Sequence, residues 1–148
     1  MNKIESRNGF TLIEIMVTIA IIATIAAMAI SSMLRSRMHA NETIAVTSCK
    51  TVASACQSYF STKDTYPSSL ADLAAPNSNP PYIDDNLATG QKAGYDFTYR
   101  LNNPVSFALN ASPTYPGRTG ERYFYIDETG LLTFNKDGAA GPNDTPVQ

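Results

Sequence analysis

The run from Phe10 to Leu34, FTLIEIMVTIAIIATIAAMAISSML, holds 19 apolar side chains in 25 residues and one charge, Glu14. As a helix it measures roughly 37 Å, more than the ~30 Å of a bilayer's hydrocarbon core. Its apolar side chains occur on every side of the helix, which suits lipid or complete burial rather than a half-wet surface. A soluble domain of 148 residues has too little remaining chain to surround such a helix. A cleaved secretory signal has Lys3 and Arg7 in its favour, and Ala27-Met28-Ala29 resembles a cleavage site. It explains neither the length of the run nor Glu14. Charge alone does not orient the segment, because Lys3 and Arg7 flank one end and Arg35 and Arg37 the other.

Glu14 is the informative residue. A carboxylate in a membrane segment costs free energy unless it is neutralised or paired. The segment contains no Lys or Arg, so the nearest candidate cation is an α-amino group at a nearby chain end.

Gly9-Phe10-Thr11-Leu12-Ile13-Glu14, preceded by the polar, basic stretch Met1 to Asn8 and followed by the apolar helix, resembles the processing site of type IV prepilins and the related pseudopilins. The resemblance implies a leader peptide over 1–9, removed by a membrane peptidase that cuts between Gly9 and Phe10 and methylates the new amino terminus of Phe10. Glycine before the cut lets the backbone approach a peptidase closely. It also implies an assembly role for Glu14, whose carboxylate meets the Phe10 ammonium of a neighbouring subunit in a helical filament of identical copies. The leader is then cytoplasmic, the precursor sits in the bacterial inner membrane, and the remainder lies outside it, finally in an extracellular pilus or a periplasmic pseudopilus. An assembly ATPase and a platform protein are the implied partners. Many major pilins carry glycine or proline within the helix; this chain has neither between Phe10 and Ser61.

Beyond Leu34 the helical pattern continues with a changed surface. Ala45, Cys49, Val52, Ala53, Cys56 and Phe60 recur at helical spacing on one narrow face. The pattern predicts one helix over 10–61, membrane-spanning over 10–34 and amphipathic over 35–61. Cys49 and Cys56 stand about 10.5 Å apart on such a helix, beyond disulfide reach, and read as small buried hydrophobes. An extracytoplasmic location keeps oxidation open. There is no haem-attachment motif.

The rest of the chain has a different character. All nine prolines lie at or after Pro67, and 13 of the 14 Phe and Tyr residues lie after position 58. Residues 62–148 therefore read as a globular α+β head. Leu70 to Leu73 form a short helix capped by Ser68 or Ser69, and 77–92 form a loop. Tyr95, Phe97, Tyr99 and Leu101 alternate with polar residues, and Val105, Phe107 and Leu109 repeat the pattern. Arg122 to Ile126 and Leu131 to Phe134 supply two further strands around the turn Asp127-Glu128-Thr129-Gly130. A small antiparallel sheet against the helix stripe buries both apolar faces, an arrangement that also resembles pilin heads. Residues 136–148, rich in Gly, Pro, Asp and Asn, read as a flexible tail. Asp127, Glu128, Asp137 and Asp144 are the only candidate calcium ligands, without regular ligand spacing, and no cofactor is expected.

Other functions find little support. The net charge is −2 with no basic block, so no nucleic-acid partner is expected. His39 is the only histidine, and no Ser/His/Asp set, metal cluster or phosphate loop gathers around it, so the chain does not read as an enzyme. The triplets at Asn41, Asn110 and Asn143 match the glycosylation pattern, which is common by chance. The expectation is a pilin subunit of a type IV pilus-like filament. The alternatives are a type II secretion pseudopilin and a monomeric, membrane-anchored binding or adhesive domain. A conductive filament is disfavoured, since no aromatic residue lies between Phe10 and Tyr59.

Overall fold

The computed structural model describes residues 9–147, apart from the side chain of Ser31; the leader stretch 1–8 lies outside them. Helix α1 runs Leu12–Lys63, two residues later at each end than the pattern predicts. Thr11 caps its start, and Asp64, at φ 57, ends it in the left-handed region, where a short polar side chain is tolerated. The chain forms two compact units, one ending at Ser36 and one beginning at Arg37.

The first unit is the apolar part of α1. Its most apolar 18-residue window has a mean hydropathy of 2.4 and none of it is buried by the protein. The helix is long and apolar enough to cross a membrane, and no part of the described chain covers it.

The second unit is an α+β head, as expected. Strands β1 (Gln91–Lys92), β2 (Tyr95–Asn103), β3 (Ser106–Pro113), β4 (Tyr123–Asp127), β5 (Thr133–Asn135) and β6 (Thr145–Pro146) form one sheet in chain order, every neighbouring pair antiparallel. Ala45, Cys49, Val52, Ala53 and Cys56 of α1 share a core with Tyr95, Phe97, Phe107, Leu109, Ala111, Phe124 and Ile126 of the sheet. The division is physical. Small side chains on the helix let its backbone come close, and large ones on the sheet fill the space at interior density. Phe60, Tyr66, Phe107 and Tyr99 form a chain of ring contacts at 4.8, 4.8 and 5.7 Å between centroids, closing the far end of this core.

Leu70–Leu73 is a 3₁₀ turn with both leucines buried. Its Asp72 carboxylate accepts from the Ser68 and Ser69 amides at 2.9 and 3.0 Å and from the Ser68 hydroxyl at 2.6 Å. The stretch 77–92, expected as loop, contains helix α2 (Asp85–Ala88), capped by the Asp84 carboxylate, and strand β1. Both are too short to leave a periodic signal. Val105 does not face inward with Phe107 and Leu109; it is exposed in the turn between β2 and β3, where the Asn103 side chain takes its amide. Strand β5 starts at Thr133 and not at Leu131, whose amide donates to the Thr129 hydroxyl at 3.3 Å.

The carboxyl end is not the free tail that its composition suggested. Val147 donates to the Leu132 carbonyl at 2.9 Å, Thr133 Oγ1 to the Gly141 carbonyl at 2.7 Å, and Asn110 Nδ2 to the Ala140 carbonyl at 2.9 Å. Ala140 is buried. A segment with few apolar residues is thus held by hydrogen bonds from β3 and β5, which sequence periodicity does not register.

Candidate functional site

The start of α1 is closed by two residues of the motif. The Thr11 hydroxyl accepts the Glu14 amide at 3.3 Å, and Glu14 Oε2 accepts the Thr11 amide at 3.5 Å and the Thr11 hydroxyl at 3.4 Å. This reciprocal pairing is a capping box, Thr at the cap and Glu three residues on, which satisfies amide donors that a helix end leaves open. The Ile15 amide reaches the Thr11 carbonyl at 3.3 Å, and the Thr18 hydroxyl donates to the Glu14 carbonyl. The Thr-x-x-Glu spacing of residues 11–14 is itself a capping-box signature in the sequence.

Gly9 and Phe10 lie just ahead of this cap. A Cβ placed on Gly9 meets nothing within 4 Å, so the subunit itself makes no steric demand for glycine. Any such demand comes from outside the fold. Phe10 is 77% exposed, and the large apolar residues that follow it are exposed as well. The segment thus presents an uncovered apolar surface with a carboxylate in its first turn.

The candidate calcium ligands are not brought together. Asp127 takes the Thr129 amide and hydroxyl at 3.0 and 2.6 Å; Asp144 takes the Gly141 amide at 2.8 Å and the Asn135 side chain at 3.2 Å; the Asp137 amide donates to Asn135. Glu128 accepts the Phe107 amide at 3.3 Å. Among the described residues no three acidic, His or Cys side chains form a group able to hold a metal. His39 is exposed, with Nδ1 4.0 Å from Glu42 Oε2. Cys49 and Cys56 are free and buried in the core face of α1, and burial pushes both thiols up to about 12.

One constellation gave no sequence signal. Glu42, buried on α1, accepts the Glu121 and Arg122 amides at 2.9 and 3.3 Å and the Arg122 Nε at 2.8 Å. The Arg122 guanidinium lies over the Phe124 and Phe134 rings, 5.3 and 5.4 Å from their centroids. Asn41 Nδ2 donates to the Thr119 carbonyl at 3.0 Å. Together these fasten the first turns of the head to the loop between β3 and β4.

Residues 6–30 match the family model for the prokaryotic N-terminal methylation motif. The match places a prepilin-type methylation motif at the start of the chain, as in type IV pilins and pseudopilins. It is 39% identical over 67 residues to a protein of Myxococcus xanthus (strain DK1622) described as a type IV major pilin protein, PilA. The matched stretch covers 45% of the present chain and 30% of that relative, so the likeness spans less than a third of the relative's length. No solved structure matches this pilin-like chain.

Proposed function

We propose that the chain is made as a membrane-held precursor, cut between Gly9 and Phe10, methylated on Phe10, and polymerised into a type IV pilus-like filament. The observation that carries this reading is the uncovered apolar helix with Glu14 in its first turn, inside a matched methylation motif. A helix leaving lipid for a protein core keeps a dry environment and gains packing contacts. Cutting before Phe10 places a new ammonium four residues from Glu14. In a dry filament core the carboxylate and a neighbour's ammonium offset charges that are each costly alone.

The precursor sits in the inner membrane with its leader in the cytoplasm, and the heads form the filament surface. Its partners are further copies of itself, a prepilin peptidase, and the platform protein and ATPase that extract subunits. The chain serves as a structural subunit and does no chemistry of its own. Mass spectrometry of the native protein tests the reading: a chain beginning at methylated Phe10 is expected. A chain that retains residues 1–9, or one trimmed near Ala29, refutes it.

A further inference from the structure

The loop 114–122 is built as a fixed shelf. Its Arg118 and Thr119 amides donate to the Tyr115 carbonyl at 3.0 and 2.9 Å, Gly117 to the Gly120 carbonyl at 2.9 Å, and the Tyr115 amide to the Thr119 hydroxyl at 3.1 Å. Gly120 lies so close to Tyr95 that a Cβ would come 2.0 Å from the phenol oxygen. Asn41 and Glu42 hold the loop to the first turns of the head. Two large side chains of the shelf, Tyr115 and Arg118, serve none of this. Tyr115 is 62% exposed, Arg118 is exposed, and among the described residues neither side chain has a hydrogen-bond or ion-pair partner.

Chain connectivity says what lies nearby. Asn41 follows Leu34, the last residue of the apolar run, by only seven positions. Even fully extended, seven residues span at most about 25 Å, so chain length alone keeps Asn41, which is bonded to the shelf, within that reach of the last apolar residue. Arg37, between them, is exposed. The other titratable groups here are exposed Glu121, exposed His39, and Glu42, already paired with Arg122. The unpaired charge is thus mainly cationic. A tyrosine with its ring in the headgroup layer and an arginine on lipid phosphates are the side chains that interfaces favour.

We propose that Tyr115 and Arg118, with Arg37, form a docking surface for anionic phospholipid headgroups, on which the head rests while the subunit waits in the membrane. Entry into a filament breaks this contact, which exposes the shelf again. The inference rests on the membrane-held precursor proposed above.

The chain contains no tryptophan, so a single introduced indole reports its own surroundings. Full-length protein is reconstituted into phosphatidylglycerol or phosphatidylcholine vesicles carrying brominated acyl chains. Three reporters are compared: Tyr115→Trp on the shelf, Val105→Trp at the opposite end of β3, and Ile22→Trp in the apolar segment. Docking predicts blue-shifted, quenched emission for Tyr115→Trp in phosphatidylglycerol and water-like emission for Val105→Trp. Adding Arg118→Ala to Tyr115→Trp lowers the docked fraction about fivefold, the value of one arginine at an anionic surface. If Ile22→Trp is quenched while Tyr115→Trp stays water-like, docking is refuted and the membrane span survives. If Ile22→Trp is not quenched, both fall. A Tyr115→Trp shift equal in both lipids and rising with protein density assigns the shelf to a second copy and overturns the lipid assignment.

Discussion

Glu42 and Arg122, 80 residues apart in the chain, meet at 2.8 Å, and the carboxylate also holds two backbone amides of the strand side. This one acid fixes where the helix enters the head. Removing one partner of a well-buried pair costs roughly 3–5 kcal/mol, and the guanidinium here retains some water, so Glu42→Ala is expected to cost about 2–4 kcal/mol. Denaturant unfolding of the variant and the parent measures it. A change within error of zero shows the clamp to be dispensable.

The same acid sets an acid limit on stability. Burial would raise the Glu42 carboxyl, but the Glu121 amide and the Arg122 side chain outweigh it and hold it below the ordinary 4.5. A depressed folded value means that the contribution is complete above 4.5 and is lost as pH falls through the folded value. Asp72, held by the Ser68 hydroxyl, and Asp84, held by Lys92, are lowered too and act in the same direction. The melting temperature is therefore expected to fall as pH drops below this range. Glu42→Gln should flatten part of that slope, and an unchanged slope contradicts the assignment.

At the helix start, cap and charge are separable. Glutamine can serve the capping box at the third helical position, so Glu14→Gln keeps the hydrogen bonds to Thr11 and loses the charge, while Thr11→Ala weakens the cap and keeps the charge. If charge pairing drives assembly, Glu14→Gln is expected to lose filaments as fully as Glu14→Ala, and Thr11→Ala to retain them. Filament counts by electron microscopy decide. The reverse pattern assigns Glu14 to helix capping alone.

The thiols should be silent in the folded head. With both near 12, almost no thiolate exists at neutral pH, and both sulfurs are shielded from water. Alkylation of Cys49 and Cys56 is expected only as the head opens, at a rate that rises with denaturant in step with unfolding. Rapid labelling of the native protein contradicts the buried placement.

Gly120 has a requirement that its backbone angles do not reveal. The close approach of Tyr95 leaves no room for a methyl group, and the Tyr95 hydroxyl is committed to the Arg122 carbonyl at 2.8 Å. Gly120→Ala is expected to cost roughly 1–3 kcal/mol through forced displacement. Thermal unfolding measures it, and Gly138→Ala, where no atom crowds the Cβ position and the backbone is not in the left-handed region, separates the close contact from simple loss of a loop glycine.

The sequence by itself determined α1, its change from all-round apolar to one-sided, the buried face carrying Cys49 and Cys56, and the alternation of β2 and β3. These are repeating patterns, and hydrophobic burial enforces them residue by residue. It also carried the methylation motif, since a motif is local. Tertiary structure alone decided the Glu42–Arg122 clamp, the short α2 and β1, and the return of residues 136–147 onto β3 and β5. Each depends on single polar groups meeting across long stretches of chain, and a hydrogen bond between distant residues leaves no periodic trace in either one.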